Sequence, residues 1–304
     1  MRPLPFFAAA AWAALMLRPA MAQPAPLTPS LMMLNGSHLR YAAAQVIMGN
    51  ATFAPAYAAL LSRATGYLND ELETVVNKTT VPPSGDKRSY ASWAFYWWPC
   101  NYNSSGVVDP STGVALPLWP IPATATCNTT TGLPWVQHDG YPSGRLMNLD
   151  DSDDSPRLAS ATNKATTLAY AWYFSRNTDY AFKAAAFLRT FFLSPVTGML
   201  PNLDYAQAIP GVNVGRGVGI IDTRNTLTSM LDAITVLGLC PEAWSTGDMA
   251  AMRTWISRYT LWLTTSRNGL DEVRSGGGLT RGRGTATATC RCALLCASRC
   301  TYLP

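Results

Sequence analysis

Apolar residues return at helical spacing through residues 53–76, where Tyr57, Leu60, Leu61, Ala64 and Leu68 fall on one face. The same period runs through 157–177 and 179–193, and the short Ser175-Arg176-Asn177-Thr178 step between them predicts a helical hairpin. Further helices are expected over 226–238 and 245–264, the second opening with Ser245 as N-cap ahead of Asp248. No stretch alternates polar and apolar residues cleanly, so the expectation is an all-α body. Two long connections interrupt it, 77–156 and the Gly/Asn/Gln-rich stretch from Asn202 to Arg224. Loops longer than about 15 residues in a compact helical domain usually carry function, so the chemistry is expected there.

Of 304 residues, 48% are hydrophobic and 13% charged, enough apolar material for one sizeable core and too much for a disordered chain. Residues 1–22 place Arg2 before an apolar run and end in Ala20-Met21-Ala22, which predicts a secretory signal peptide cleaved near Gln23. Arg18 and Pro19 break the run, which is too short to span a bilayer. The expectation is therefore a secreted, extracellular protein, or a periplasmic one in a bacterial host. Five Asn-x-Ser/Thr sequons, at Asn35, Asn50, Asn77, Asn103 and Asn128, favour a eukaryotic secretory route with glycosylation. Cys100 and Cys127 share one Pro/Ser/Thr/Gly-rich segment, where a disulfide would staple a loop that cannot bury itself; spacing alone does not fix the pairing.

The formal charge of +5 suggests an acidic partner until it is divided by region. Two arginines leave with the signal and five lie from Arg274 onward, so residues 23–273 carry 16 Lys/Arg against 18 Asp/Glu. Global charge thus gives no reason to expect nucleic acid or a membrane as partner. Only a local basic cleft would matter.

The first long loop contains Trp93, Phe95, Tyr96, Trp97 and Trp98 followed by Pro99. Such a run suits a platform on which sugar rings stack, with the Tyr hydroxyl and indole N–H donating at the rim. The competing use of these rings is packing the loop onto the body. The second loop offers Tyr205, Gln207, Asn213, Arg216 and Arg224. A guanidinium fork matches a carboxylate, and Asn or Gln amides bond the same oxygens or hydroxyls. Glycines 211, 215, 217 and 219 would let the backbone approach a ligand closely. The run "GRGVG" superficially suggests a dinucleotide fingerprint, but its spacing is wrong and no strand is expected before it.

Three segments in order, "SYASWAFYWWP", "PNLDYAQAIPGVNVGRGVGIIDTR" and "TLWLTTSRNGLDE", resemble the alginate lyase family of polysaccharide lyases over residues 30–272. The resemblance implies an incomplete (α/α) toroid of helical hairpins around a cleft for an anionic uronate polymer, acting as a monomer. It implies β-elimination: an Arg, Asn or His neutralises the uronate carboxylate, a Tyr or His takes the C5 proton, and a Tyr returns one to O4. No metal or organic cofactor is implied. On this resemblance Tyr96, Trp97, Trp98, Tyr205, Gln207, Asn213, Arg216 and Arg224 are the expected substrate-binding residues.

The sequence departs from the family pattern after Glu272. Family members continue into an Asn-Asn-His-Gly motif that supplies a carboxylate neutraliser and a base, and here the chain reads "VRSGGGLTRGRGTATATCRC" instead. The two histidines are His38, expected on the surface or at a helix start, and His138 in the first long loop, a surface residue or a substrate contact. Residues 274–304 are Gly/Arg/Thr/Cys-rich; Cys290, Cys292, Cys296 and Cys300 match no common zinc spacing, and no metal site is expected. An RGG-like nucleic-acid tail is not expected in a secreted chain. The tail reads instead as a frame-shifted or mis-spliced translation of the missing segment, which would leave a catalytically impaired lyase or a non-catalytic polysaccharide-binding protein. The acidic run Asp150, Asp151, Asp153 and Asp154 is expected to cap the next helix from a solvated loop.

Overall fold

A computed structural model describes residues 27–102, 108, 113–115, 127–138 and 153–274. Helices make the body: α1 (Gly36–Ile47), α2 (Ala54–Tyr67), α3 (Ser155–Ser175), α4 (Thr178–Leu188), α5 (Thr226–Leu237), α6 (Thr246–Thr265) and α7 (Arg267–Arg274). Local chemistry sets their ends. Asn35 Oδ1 accepts from the N–H groups of Ser37 and His38 to start α1, placing His38 in its first turn. Arg176 takes a left-handed φ of 61° to close α3, and Asn177 then caps α4, which makes the expected hairpin. Ser245 and Asp248 form a reciprocal capping box at the start of α6.

Helix α3 is the centre of the core. Its Leu158, Ala161, Ala165, Leu168 and Ala169 are buried, and the alanines let α2, α4 and α5 approach it closely. Full burial of one leucine such as Leu168 stabilises by about 2 kcal/mol. From α5, the carboxylate of Asp232 accepts the backbone N–H groups of Met32, Met33 and Leu34, and Tyr173 donates to the Leu27 carbonyl. These contacts strap residues 27–34 across the helices. Arg189 reaches both Asp248, at 2.7 Å, and the Ala243 carbonyl, at 2.6 Å, tying the end of α4 to the start of α6.

Three expectations change. The helix expected over 53–76 ends at Tyr67, and a short 3-10 turn capped by Thr74 covers Val75–Asn77. The segment 179–193 is α-helical to Leu188 and π-helical over Arg189–Leu193. The long loops also hold four short strands: β1 (Ala91–Trp93), β2 (Trp97–Trp98), β3 (Val136–Gln137) and β4 (Tyr205–Ala208). Strands of two to four residues are too short to display alternation, so the periodic signal could not reveal them. β1 pairs with β4 in parallel, Ala91 opposite Tyr205 and Trp93 opposite Ala208, and β2 pairs antiparallel with β3.

Candidate functional site

The β1–β4 pair brings the two long loops together. After β4 the chain turns back on itself at the Ile209–Asn213 bridge and enters a 3-10 segment, Gly217–Asp222. A strand therefore does precede "GRGVG", contrary to expectation. It leads into this tight turn and not into the helix that a dinucleotide site needs. Gly215 and Gly219 are demanded by the loop's own packing: a Cβ on Gly215 would lie 1.8 Å from the Asp204 carbonyl oxygen, and one on Gly219 2.5 Å from Ala206 Cβ.

Asp222 organises the polar centre. Its Oδ1 accepts from Gln207 Nε2 at 2.8 Å, and its Oδ2 accepts from Tyr90 at 3.0 Å and Ser92 at 2.5 Å. Ser92 Oγ in turn accepts from the Gln207 backbone N–H at 2.8 Å. Gln207 is buried with a left-handed φ of 53°, and its carbonyl accepts from Arg216 Nε at 3.0 Å. Loss of water pushes the Asp222 carboxyl up to about 6 despite the Ser92 hydrogen bond, and nearby Asp153 adds to the rise. Burial draws Arg216 below its ordinary value while the Asp222 charge pulls it back up.

Below this centre lies a buried ion pair. Lys78 Nζ meets Asp154 Oδ2 at 2.6 Å and also donates to the carbonyls of Val75 and Ser89. Asp154 accepts the Ala91 N–H as well, which fixes the start of β1. This corrects the solvated-loop reading for Asp154: both partners are fully buried, because Lys78, the Ala91 N–H and Arg157 replace the water around the carboxylate. Asp153 does cap, accepting from the Ser155 N–H, while Asp150 and Asp151 lie outside the described residues.

The aromatic platform is divided. Trp98 is fully buried, with its ring centroid 4.6 Å from that of Tyr102 and with Trp135 and Ile209 in the same small core, so it has no face for a sugar. This corrects its assignment as a substrate contact. In the β2–β3 pair Trp97 and Trp98 turn to opposite sides. Trp97 is half-buried, and Tyr96 and Phe95 are exposed. Tyr205 and Asn213 line a cavity beside β1, and Asn213 Oδ1 is buried without a hydrogen-bond partner. Arg224 is half-buried just beyond the 3-10 segment, its backbone N–H donating to the Ile220 carbonyl. His138 follows β3, its backbone N–H donating to the Tyr96 carbonyl, and burial lowers its imidazole below the ordinary value.

A disulfide joins Cys100 to Cys127, with Cα atoms 5.8 Å apart. Among the sequon asparagines, Asn35, Asn77 and Asn128 are exposed, Asn50 donates its amide to Gln45, and Asn103 lies outside the described residues. The signal segment and the cysteine-rich tail from 275 also lie outside them. Among the described residues no group of three or more His, Cys, Asp or Glu is placed to hold a metal ion, and no helix is long and apolar enough to cross a membrane.

The sequence had pointed to Gln207 and Arg216 but not to Tyr90, Ser92 and Asp222. The available signal was an acidic residue in the apolar run "GIIDTR", where a lone Asp needs buried donors.

Comparison with known proteins places this helical body and its joined loops in a family. The alginate lyase family model matches residues 74–277. A crystal structure of an alginate lyase from Bacteroides ovatus is similar, with a TM-score of 0.65 and 30% identity, covering 81% of this chain and 56% of that one. No curated protein sequence matches. The chain belongs to the alginate lyase family. It spans little more than half the length of the Bacteroides enzyme.

Proposed function

We propose that the protein is a secreted polysaccharide lyase that receives a uronate polymer such as alginate at the Arg216 loop and cleaves it by β-elimination. The observation that carries this reading is the fixed guanidinium. Arg216 Nε is anchored on the Gln207 carbonyl, which leaves its terminal nitrogens as a fork for a carboxylate. On this reading the helical hairpins belong to an incomplete (α/α) toroid, and the polymer lies across the joined loops beside Tyr96 and Trp97.

In the reaction Arg216 pairs with the uronate carboxylate and spreads the charge that forms when the C5 proton leaves. The C4–O4 bond then breaks, a C4=C5 double bond forms, and the leaving oxygen takes a proton. Tyr205 on β4 is of the right type to move protons. His138, held below its ordinary value by burial, is neutral at neutral pH and able to accept one.

A second reading, a non-catalytic binder of anionic polysaccharide, is favoured by the missing Asn-Asn-His-Gly pattern. Polymannuronate is added while the ultraviolet absorbance of the new double bond is followed, and binding of oligomannuronate is measured in parallel. Rising absorbance is expected for the lyase; affinity without product supports the binder. Neither product nor affinity overturns both.

A further inference from the structure

The register between β1 and β4 slips inside the pair. Ala91 faces Tyr205 and Trp93 faces Ala208, so between these pairs β1 has the single residue Ser92 and β4 has two, Ala206 and Gln207. Gln207 therefore belongs to a β-bulge, and a bulge re-aims the groups it carries. Its φ of 53° is the left-handed conformation in which such a position ordinarily takes glycine, because a Cβ there crowds the following carbonyl oxygen. A glutamine stays in it only if its surroundings over-determine it.

Those surroundings meet on one carboxylate. Ser92 Oγ accepts the Gln207 backbone N–H at 2.8 Å and donates to Asp222 Oδ2, while the Gln207 amide donates to Asp222 Oδ1 at 2.8 Å. Tyr90 also donates to Oδ2, at 3.0 Å, which fixes the carboxylate from a third side. The bulge in turn grips Arg216 at two points: the Ala206 carbonyl accepts its backbone N–H at 3.0 Å and the Gln207 carbonyl accepts its Nε–H at 3.0 Å. Released from Asp222 and Ser92, Gln207 would relax toward the negative φ of ordinary strand and turn its carbonyl away from the guanidinium.

We propose that Asp222, acting with Ser92 through the Gln207 bulge, is a positioning residue that aims the Arg216 guanidinium. The side-chain hydrogen bonds of Asp222 run to Tyr90, Ser92 and Gln207, so its hold on Arg216 is relayed by a backbone carbonyl. What the aimed guanidinium meets rests on the uronate reading proposed above, but the aim itself is measurable without a ligand.

The test follows hydrogen exchange at arginine Nε–H groups by nuclear magnetic resonance of the full chain. Arg216→Lys assigns the Arg216 signal, and Arg189, whose Nε donates to Asp248 at 2.8 Å, is the internal control. Both signals are expected to be protected in the wild type. Asp222→Ala, and more gently Ser92→Ala, should speed exchange at Arg216 about tenfold and leave Arg189 unchanged. If Asp222→Ala loosens both arginines together through general unfolding, Ser92→Ala, which removes one oxygen, decides alone. An Arg216 Nε–H that is unprotected in the wild type, or that stays protected in these variants, overturns the positioning role. In calorimetric titration with oligomannuronate the same variants should weaken binding about tenfold and have no further effect in an Arg216→Ala background. A loss that persists in that background overturns the route through Arg216. Absence of wild-type binding with the exchange pattern intact overturns the uronate reading alone.

Discussion

Gln207 is tied to Asp222 twice, directly through its side-chain amide at 2.8 Å and indirectly through Ser92, which bonds both the Gln207 backbone N–H and the same carboxylate. The closed ring holds a non-glycine residue at a φ of 53°, a conformation that costs on the order of 1 kcal/mol or more. Asp222→Ala would strand the Gln207 amide, the Ser92 hydroxyl and the Tyr90 hydroxyl. The expected loss is roughly 3 kcal/mol of unfolding free energy, read from urea denaturation.

The same carboxyl predicts an unusual pH dependence. Asp222 sits at about 6 when folded, above the roughly 3.9 of an unfolded aspartate. The native protein therefore holds this proton more tightly, and stability falls as pH rises from about 4 to about 6. Asp248 acts in the opposite sense: the Arg189 hydrogen bond lowers it, so its contribution is lost as pH falls below the ordinary carboxylate range. Asp222→Asn should flatten the decline between pH 4 and 6 without changing the acid limb, as measured by urea midpoints across that range. A portion of the decline persists in the variant because Asp154, also at about 6, has the same sign.

Breaking the Lys78–Asp154 pair should cost more than removing it. Lys78→Met leaves a buried carboxylate short of its cation, with an expected loss of roughly 3–5 kcal/mol. The double variant Lys78→Met/Asp154→Leu should regain a large share of that loss. Urea unfolding of the two single variants and the double variant gives the coupling directly.

Arg216→Ala should weaken an anionic oligosaccharide by roughly 10- to 100-fold, the range for losing a charge-assisted pair. Calorimetric titration with oligomannuronate checks this, and unchanged affinity would make Arg216 purely structural.

Trp98→Ala and Tyr96→Ala should separate packing from recognition. Trp98 is fully buried, so its truncation should cost roughly 3–5 kcal/mol of stability. Tyr96 is 46% exposed, so its truncation should leave the urea midpoint nearly unchanged. Any effect of Tyr96→Ala on oligosaccharide affinity then reports contact.

The α3–α4 hairpin and α6 were legible in the sequence because long amphipathic runs and a Ser/Asp capping box leave periodic and local marks. The site was legible only in part. Gln207 and Arg216 stand out as polar groups in a Gly-rich loop, but nothing local says that Gln207 takes a left-handed backbone, or that its partner Ser92 and the Tyr90 that joins Ser92 on Asp222 come from the other loop. Adjacent tryptophans look alike in one dimension, and it took the β2–β3 pairing to bury Trp98 and leave Trp97 half-exposed. Asp154 was misread because its partner, Lys78, lies far away in the chain.

The parallel pairing of β1 with β4 has a consequence for assembly. The two strands lie on opposite sides of α3 and α4 in the chain, so this helical hairpin is the crossover that parallel strands require. The bonds of Ser92 to Asp222 and Gln207 span this crossover and so belong to the long-range contacts of the fold, whereas Arg216 is held by Gln207 within one loop. Closure of the Asp222 ring thus marks molecules in which both loops have met across the docked hairpin, as distinct from those with their helices alone in place.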